Sequence, residues 1–218
     1  NPPDGAPITF VLKTAPPKDP KAPKDAKAPV RIVVKDAAGQ LVRTVDVKEP
    51  KVGLNRVSWD LRGEPTAEVK PRTPPINADD LKMNPDGTRT FAMAGASRLS
   101  VMVPPGTYSV TLEAPGAAGT VTQPLTVRRD PNTAGSEADI QAQTKAIREV
   151  RDAMNKTADL INRAEAVRAQ IGHVKTFIGD DAAAKELIAA GEDLDKRVTA
   201  VEERLFNLHA TGRGQDFL

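Results

Sequence analysis

The sequence holds no cysteine, so disulfides and thiolate metal sites are excluded outright. A cysteine-free chain suits the cytosol and a bacterial periplasm equally, and it assigns no compartment. Aromatics are scarce at 3%, with one Trp (Trp59) and one Tyr (Tyr108), so any core must be built from Val, Leu, Ile and Ala. No apolar run approaches the roughly 20 residues needed to cross a bilayer, which excludes a membrane span in these 218 residues. Net charge is only +2, too small to argue for a nucleic-acid partner. The chain opens Asn1-Pro2-Pro3 without Met, as a processed product or an excised fragment would, so the lack of a leader carries no information.

What is present is divided unevenly. Residues 1–130 carry 19 Lys and Arg against 14 Asp and Glu, a balance of +5, and 18 of the 19 prolines. Residues 131–218 carry 12 against 15, a balance of −3. The shift in charge and composition predicts two domains, 1–130 and 131–218, joined near residues 129–136.

The first part reads as short alternating strands with turn signals between them. Ile8, Phe10 and Leu12 alternate. Val30 to Val34 ends in the turn Asp36-Ala37-Ala38-Gly39, and Leu41 to Val47 follows as a hairpin partner. Val57, Trp59 and Leu61 alternate after Gly53, and further strands are expected at Leu99 to Val103, Tyr108 to Leu112 and Val121 to Val127. Six or seven such strands predict an Ig-like antiparallel β-sandwich. Two stretches do not fit: a Pro- and Lys-rich insert at 16–29, and a Pro-rich excursion at 63–97, expected on the surface over a sheet edge.

From Ser136 the chain becomes rich in Ala, Glu, Lys and Arg. Ser136 is a candidate N-cap, with Glu137 and Asp139 in the first turn, where the helix dipole favours acids. Ile140, Ile147, Met154 and Ile161 recur at seven, beside a stripe through Val150, Ala164, Ile171 and Ile178. This predicts one helix from 137 to about 178. Gly179-Asp180-Asp181 interrupts it, and a second helix is expected from about Ala182 to Leu208, with Leu187, Leu194, Val201 and Leu208 at seven. Together they predict a long antiparallel helical hairpin, an incomplete bundle. A pair buries one stripe per helix, so a further helix is expected after Leu218; without it, part of the seam is left exposed or packed on a neighbouring chain.

Residues of catalytic type are few. His173 and His209 lie on expected helix segments with no second His four residues away, so no helical zinc pair arises. Asp130-Pro131-Asn132 with Gly135 resembles a calcium loop, but Ala134 and Gln141 stand where oxygen ligands are needed, so a linker and helix cap are expected. Asn84 to Phe91 resembles half of an Asp-box but occurs once, and reads as a tight turn. The acidic pairs Asp79-Asp80, Asp180-Asp181 and Glu202-Glu203 are placed in loops or on a helix face. No catalytic, cofactor or metal residue is assigned.

One series carries a family pattern: Asp36, Gly39 and Val42-Arg43, then Gly53-Leu54-Asn55 with Trp59-Asp60, then Pro105-Gly106-Thr107-Tyr108. Over most of residues 1–130 it resembles the C-terminal region of bacterial sortilin-like, neuraminidase-repeat proteins, often labelled glycosyl hydrolases. From Asp36 to Tyr108 it is also similar to the Ig-like domain of flagellar hook-capping proteins. The resemblance implies a secreted or periplasmic parent whose β-propellers precede residue 1 and carry any hydrolase activity. It gives Trp59, Asp60, Gly106 and Tyr108 structural roles: Trp59 filling the core, Gly106 permitting a tight turn, and the Tyr108 hydroxyl bonding to backbone. The expected function is a non-catalytic accessory or assembly module, with the propellers and a second copy of the helices as partners. The competing reading is a carbohydrate- or polymer-binding module, for which Phe91 is the candidate surface contact.

Overall fold

A computed structural model describes residues 5–14, 16, 28–78, 80–89, 98–114, 120–179 and 181–211. Among the described residues, six strands and two α-helices form in the order β1 (Ala6–Leu12), β2 (Arg31–Lys35), β3 (Leu41–Asp46), β4 (Gly53–Trp59), β5 (Gly106–Glu113), β6 (Val121–Val127), α1 (Glu137–Ile178) and α2 (Lys185–Glu202). The class is β plus α, with two antiparallel sheets. The chain forms two compact units, 1–65 with 100–149 and 66–99 with 150–218. These units follow contacts, whereas the boundary near 130 follows composition; within the second unit, residues of the 66–78 segment bond to α1.

In the first unit β1 pairs with β4, and the other sheet has the order β3-β2-β5-β6. Ile8, Phe10 and Leu12 alternate inward on β1 while Pro7, Thr9 and Val11 face out, the period of two that buries one face of a strand. A single core joins the two sheets. It contains Leu12 of β1, Ile32 and Val34 of β2, Trp59 of β4, and Tyr108 and Val110 of β5. The β2–β3 turn is closed by Asp36, whose Oδ1 accepts the Ala38 and Gln40 N–H groups, with Gly39 at φ 77°. Asn55 closes the turn into β4: its Oδ1 accepts Lys51 N–H at 2.9 Å, and its Nδ2 donates to the Lys51 and Gly53 carbonyls.

The strand expected at Leu99 to Val103 does not form. Only an isolated bridge joins Arg62 to Met102, flanked by Gly63 N–H to Val101 O and Val103 N–H to Leu61 O. Pro104 and Pro105 follow directly and bring no N–H to extend a ladder.

The long helix forms as expected. Ser136 and Asp139 cap it reciprocally: Asp139 N–H donates to Ser136 Oγ, and Asp139 Oδ2 accepts from the Ser136 N–H and hydroxyl. These bonds hold the Asp139 carboxyl below its ordinary pKa. Gly179, at φ 61°, ends the helix in the left-handed conformation. The second helix is shorter than expected. A single 3-10 turn, Ala182–Ala184, precedes α2, which stops at Glu202 rather than Leu208. Beyond it the chain continues in turns, where Leu208 O accepts Ile76 N–H and Ala210 O accepts from Arg89. His209 is therefore exposed on this tail and not on a helix.

Candidate interaction site

The second unit is built around a strap, residues 66–78, that runs extended without a strand partner. Pro71, Pro74 and Pro75 cannot donate to a ladder, so the remaining backbone donors need other acceptors. Side chains from one face of α1 supply them. Asn155 Oδ1 accepts Ala67 N–H at 2.7 Å. Asn162 Oδ1 accepts Lys70 N–H at 2.7 Å, while its Nδ2 donates to Glu68 O at 2.9 Å. Glu165 accepts Arg72 N–H, Thr73 N–H at 2.7 Å and the Thr73 hydroxyl at 3.0 Å. Spacings of seven and three put all three side chains on one helix face. Below the strap, Ile161, Phe206 and Leu208 form a small core with Val69 and Ile76. Arg89, nearly fully buried, ties strap to tail by donating to Thr73 O at 2.9 Å and Ala210 O at 2.6 Å.

Glu165 also belongs to a buried charge cluster. Arg168, one helical turn on, reaches Glu165 at 3.7 Å, Glu202 at 3.0 Å and Asp195 at 3.1 Å, so it holds three carboxylates from two helices. Glu165 and Glu202 are both fully buried, and Glu202 Oε1 has no hydrogen-bond partner. Burial first, then the adjacent Glu165 charge, pushes Glu202 up to about 7 against the opposing pull of Arg168. Beside the cluster lies an open recess of about 680 Å³ lined by Thr73, Pro75, Arg168, Lys175 and Asp195. Of its three lining cations, Arg168 is engaged as above and Lys175 pairs with Glu192 at 2.7 Å; the third is Lys196.

The opposite face of the same helices is different in kind. Leu160, Val167 and Val174 on α1 and Leu187, Leu194 and Val201 on α2 recur at seven and remain exposed. With Ala164, Ile171, Gly191 and Val198 between them they line two adjoining apolar recesses, of about 370 and 400 Å³. A Cβ on Gly191 would stand 3.4 Å from Ile171 Cγ2, so the helices pass close at that layer. This face is a mainly apolar groove, with Gln170, Lys175, Arg197 and Glu202 also among its lining residues.

The structural residues expected from the motif lie together in the first unit. Trp59 is 1% exposed, donates Nε1–H to Arg62 O at 2.9 Å, and meets Tyr108 edge-on with centroids 5.8 Å apart. Leu61, at φ 57°, turns the chain back so that Arg62 O reaches the indole, and Asp60 Oδ1 accepts Arg62 N–H at 3.0 Å. The Tyr108 hydroxyl donates to Pro104 O at 2.7 Å, and burial raises its pKa. Gly106 differs from expectation. Its φ is not left-handed, and a Cβ there would meet the Tyr108 ring at an ordinary 3.8 Å. The glycine that geometry demands is Gly5, at φ 110°, where a Cβ would stand 2.1 Å from Trp59 O.

Phe91 lies outside the described residues, as do Asp79 and Asp180. The Asn84 to Thr88 segment is a tight turn: Gly87 takes φ 73°, and Asp86 Oδ1 accepts the Thr88 N–H and hydroxyl. Asp130 likewise accepts from its own neighbour, Asn132 N–H, at 2.9 Å. No group of three His, Cys, Asp or Glu side chains able to hold a metal ion occurs among the described residues. Nor is any described helix long and apolar enough to cross a membrane. Sequence reasoning missed Asn155, Asn162, Glu165 and Arg168, although polar residues at helical spacing were a usable signal, and Glu202, placed by sequence in a loop or on a helix face, is fully buried. No protein-family model, curated protein or solved structure gives a match to this chain.

Proposed function

We propose that this chain is a non-catalytic accessory and assembly module of a larger secreted or periplasmic β-propeller protein. On this reading the first unit is an Ig-like sandwich and the helices are an antiparallel hairpin, half of a bundle. The core shared by both sheets and the Tyr108 hydroxyl bonded four residues upstream, as at a tyrosine corner, support the sandwich. Ion pairs that advance along α1 from Arg168 to Lys175 while retreating along α2 from Asp195 to Glu192 support the hairpin.

The observation that carries the proposal is the apolar heptad face left open on α1 and α2. A soluble protein rarely leaves a contiguous patch of this kind uncovered unless it docks something. The buried charges have structural work: Glu165 holds the strap, and Arg168 bridges the helices. A carbohydrate-binding reading finds less support, because Trp59 and Tyr108 are in the core and not on a platform.

Mixing the chain with the domains that flank it in the parent protein, followed by sedimentation velocity, tests the proposal. Association with itself or with a flanking domain is expected. A chain that stays monomeric at about 200 µM and binds no flanking domain would overturn it.

A further inference from the structure

We infer that the open face of α1 and α2 is a homodimer interface, closed by the same face of a second copy into a four-helix bundle. The inference rests on the assembly reading above and narrows its partner to this chain itself. Three features of the face carry it.

Its size fits. Leu160, Val167, Val174, Leu187, Leu194 and Val201 are between 37% (Val167) and 60% (Val201) exposed, and Leu205 extends the face at one end. Together these seven residues leave roughly 600 Å² open, at the low end of the roughly 600–1,000 Å² per partner that stable interfaces bury. From Leu160 to Ile178 the face runs about 27 Å at 1.5 Å rise per residue, long enough for several layers of packing.

Its pattern fits. Two helices whose Leu and Val side chains recur at seven present the seam of a bundle, and a second pair with the same repeat is the complementary surface. Identity of the copies guarantees that repeat, and a two-fold axis pairs each layer with a like one. Small residues, Ala164 and Gly191, flank the Val167–Leu194 layer; the space beside Gly191 is taken by Ile171 of the same chain, and Ala164 lines the open recess.

The stretches outside the described residues offer no matching sequence. They are 1–4, 15, 17–27, 79, 90–97, 115–119, 180 and 212–218, and none carries an apolar heptad; 17–27 is PKDPKAPKDAK, and 212–218 holds only Phe217 and Leu218 as large apolar side chains.

Sedimentation velocity of the 218-residue chain from about 1 to 200 µM gives the test. A monomer–dimer equilibrium in the micromolar range is expected, and the Leu187→Glu plus Val201→Glu variant should weaken it at least 100-fold. Both side chains are already exposed in the single chain, so the monomer should keep its circular dichroism and melting temperature. Lys145→Glu, at an exposed position off the face, should leave the dimer intact. A second readout avoids dependence on the charged variant. Because the chain has no other thiol, a spin label at Leu194→Cys should be immobile at high concentration and mobile on dilution. Three results would overturn the inference: a wild-type chain monomeric throughout, a dimer that survives the double substitution, or a label whose mobility ignores concentration. A monomer that binds a flanking domain through these residues would sink the homodimer while leaving the assembly role standing.

Discussion

Glu165 on α1 accepts both the backbone N–H and the hydroxyl of Thr73, ninety-two residues earlier in the chain, at 2.7 and 3.0 Å. That one carboxylate fixes the proline-rich strap at the point where it passes the buried charge cluster. The strap has no strand partner, so its position depends on side-chain acceptors along α1, and Glu165 contributes more of them than Asn155 or Asn162.

Replacing Glu165 by Ala should therefore free the strap. It strands the Arg72 and Thr73 donors and leaves Arg168 with fewer anions in a buried setting, a loss of about 3–5 kcal/mol. Hydrogen exchange should rise at residues 67–76 while the strands of the first unit keep their protection. Unchanged exchange in the strap would refute the role given to Glu165.

Glu202 predicts a dependence on pH. Its folded pKa, about 7, lies above its ordinary 4.5, so the folded protein binds the extra proton. The associated stability is fully present below pH 4.5 and is lost as pH rises through 7. The groups facing it are Glu165 and Arg168 from α1, and Arg168 is shared with Asp195 of its own helix. Glu202→Gln should raise stability at pH 8 by about 1–2 kcal/mol and flatten the pH dependence between 5 and 8. Melting curves of both proteins at pH 5 and pH 8 check the sign: a variant less stable than wild type at pH 8 would contradict it.

Tyr108→Phe keeps the edge-on contact with Trp59 and deletes only the bond to Pro104 O. A loss of about 1 kcal/mol is expected by urea denaturation, with no change in fold.

Two glycines should respond oppositely. Gly5→Ala sets a Cβ 2.1 Å from Trp59 O at a positive φ, and should cost at least 2 kcal/mol by displacing the start of β1. Gly106→Ala has room and an ordinary φ, so its effect should stay within about 0.5 kcal/mol. Comparable losses at both positions, measured by thermal denaturation, would count against this geometry.

Much of the local structure could be read without coordinates. Alternation in Ile8, Phe10 and Leu12 identified β1, the Asp36–Gly39 turn preceded β3, and Ser136 with Asp139 announced α1. Each of these signals lies within a few residues of the structure it produces. The shortfall came where local pattern and distant bonding disagree. Leu208 keeps the heptad of α2 but lies beyond the helix, packed with Ile161 and Phe206 against Val69 and Ile76 and bonded through its carbonyl to Ile76 N–H. Residues 99–103 have β-type composition and still form only a bridge, because the prolines that follow offer no donors.

Composition and periodicity alone were sufficient for the class of this protein, for its strands and long helix, and for the surplus of apolar residues on the helices. Those features depend on turn chemistry and on repeats of two and seven, which are properties of neighbouring residues. The tertiary structure alone decided that residues 66–89 join the second unit and that Asn155, Asn162 and Glu165 are the strap's acceptors. It also decided which face of the helical pair is filled and which stays open. A proline-rich backbone must find its hydrogen bonds somewhere, but its own residues do not say where, and the partner here lies about ninety residues away.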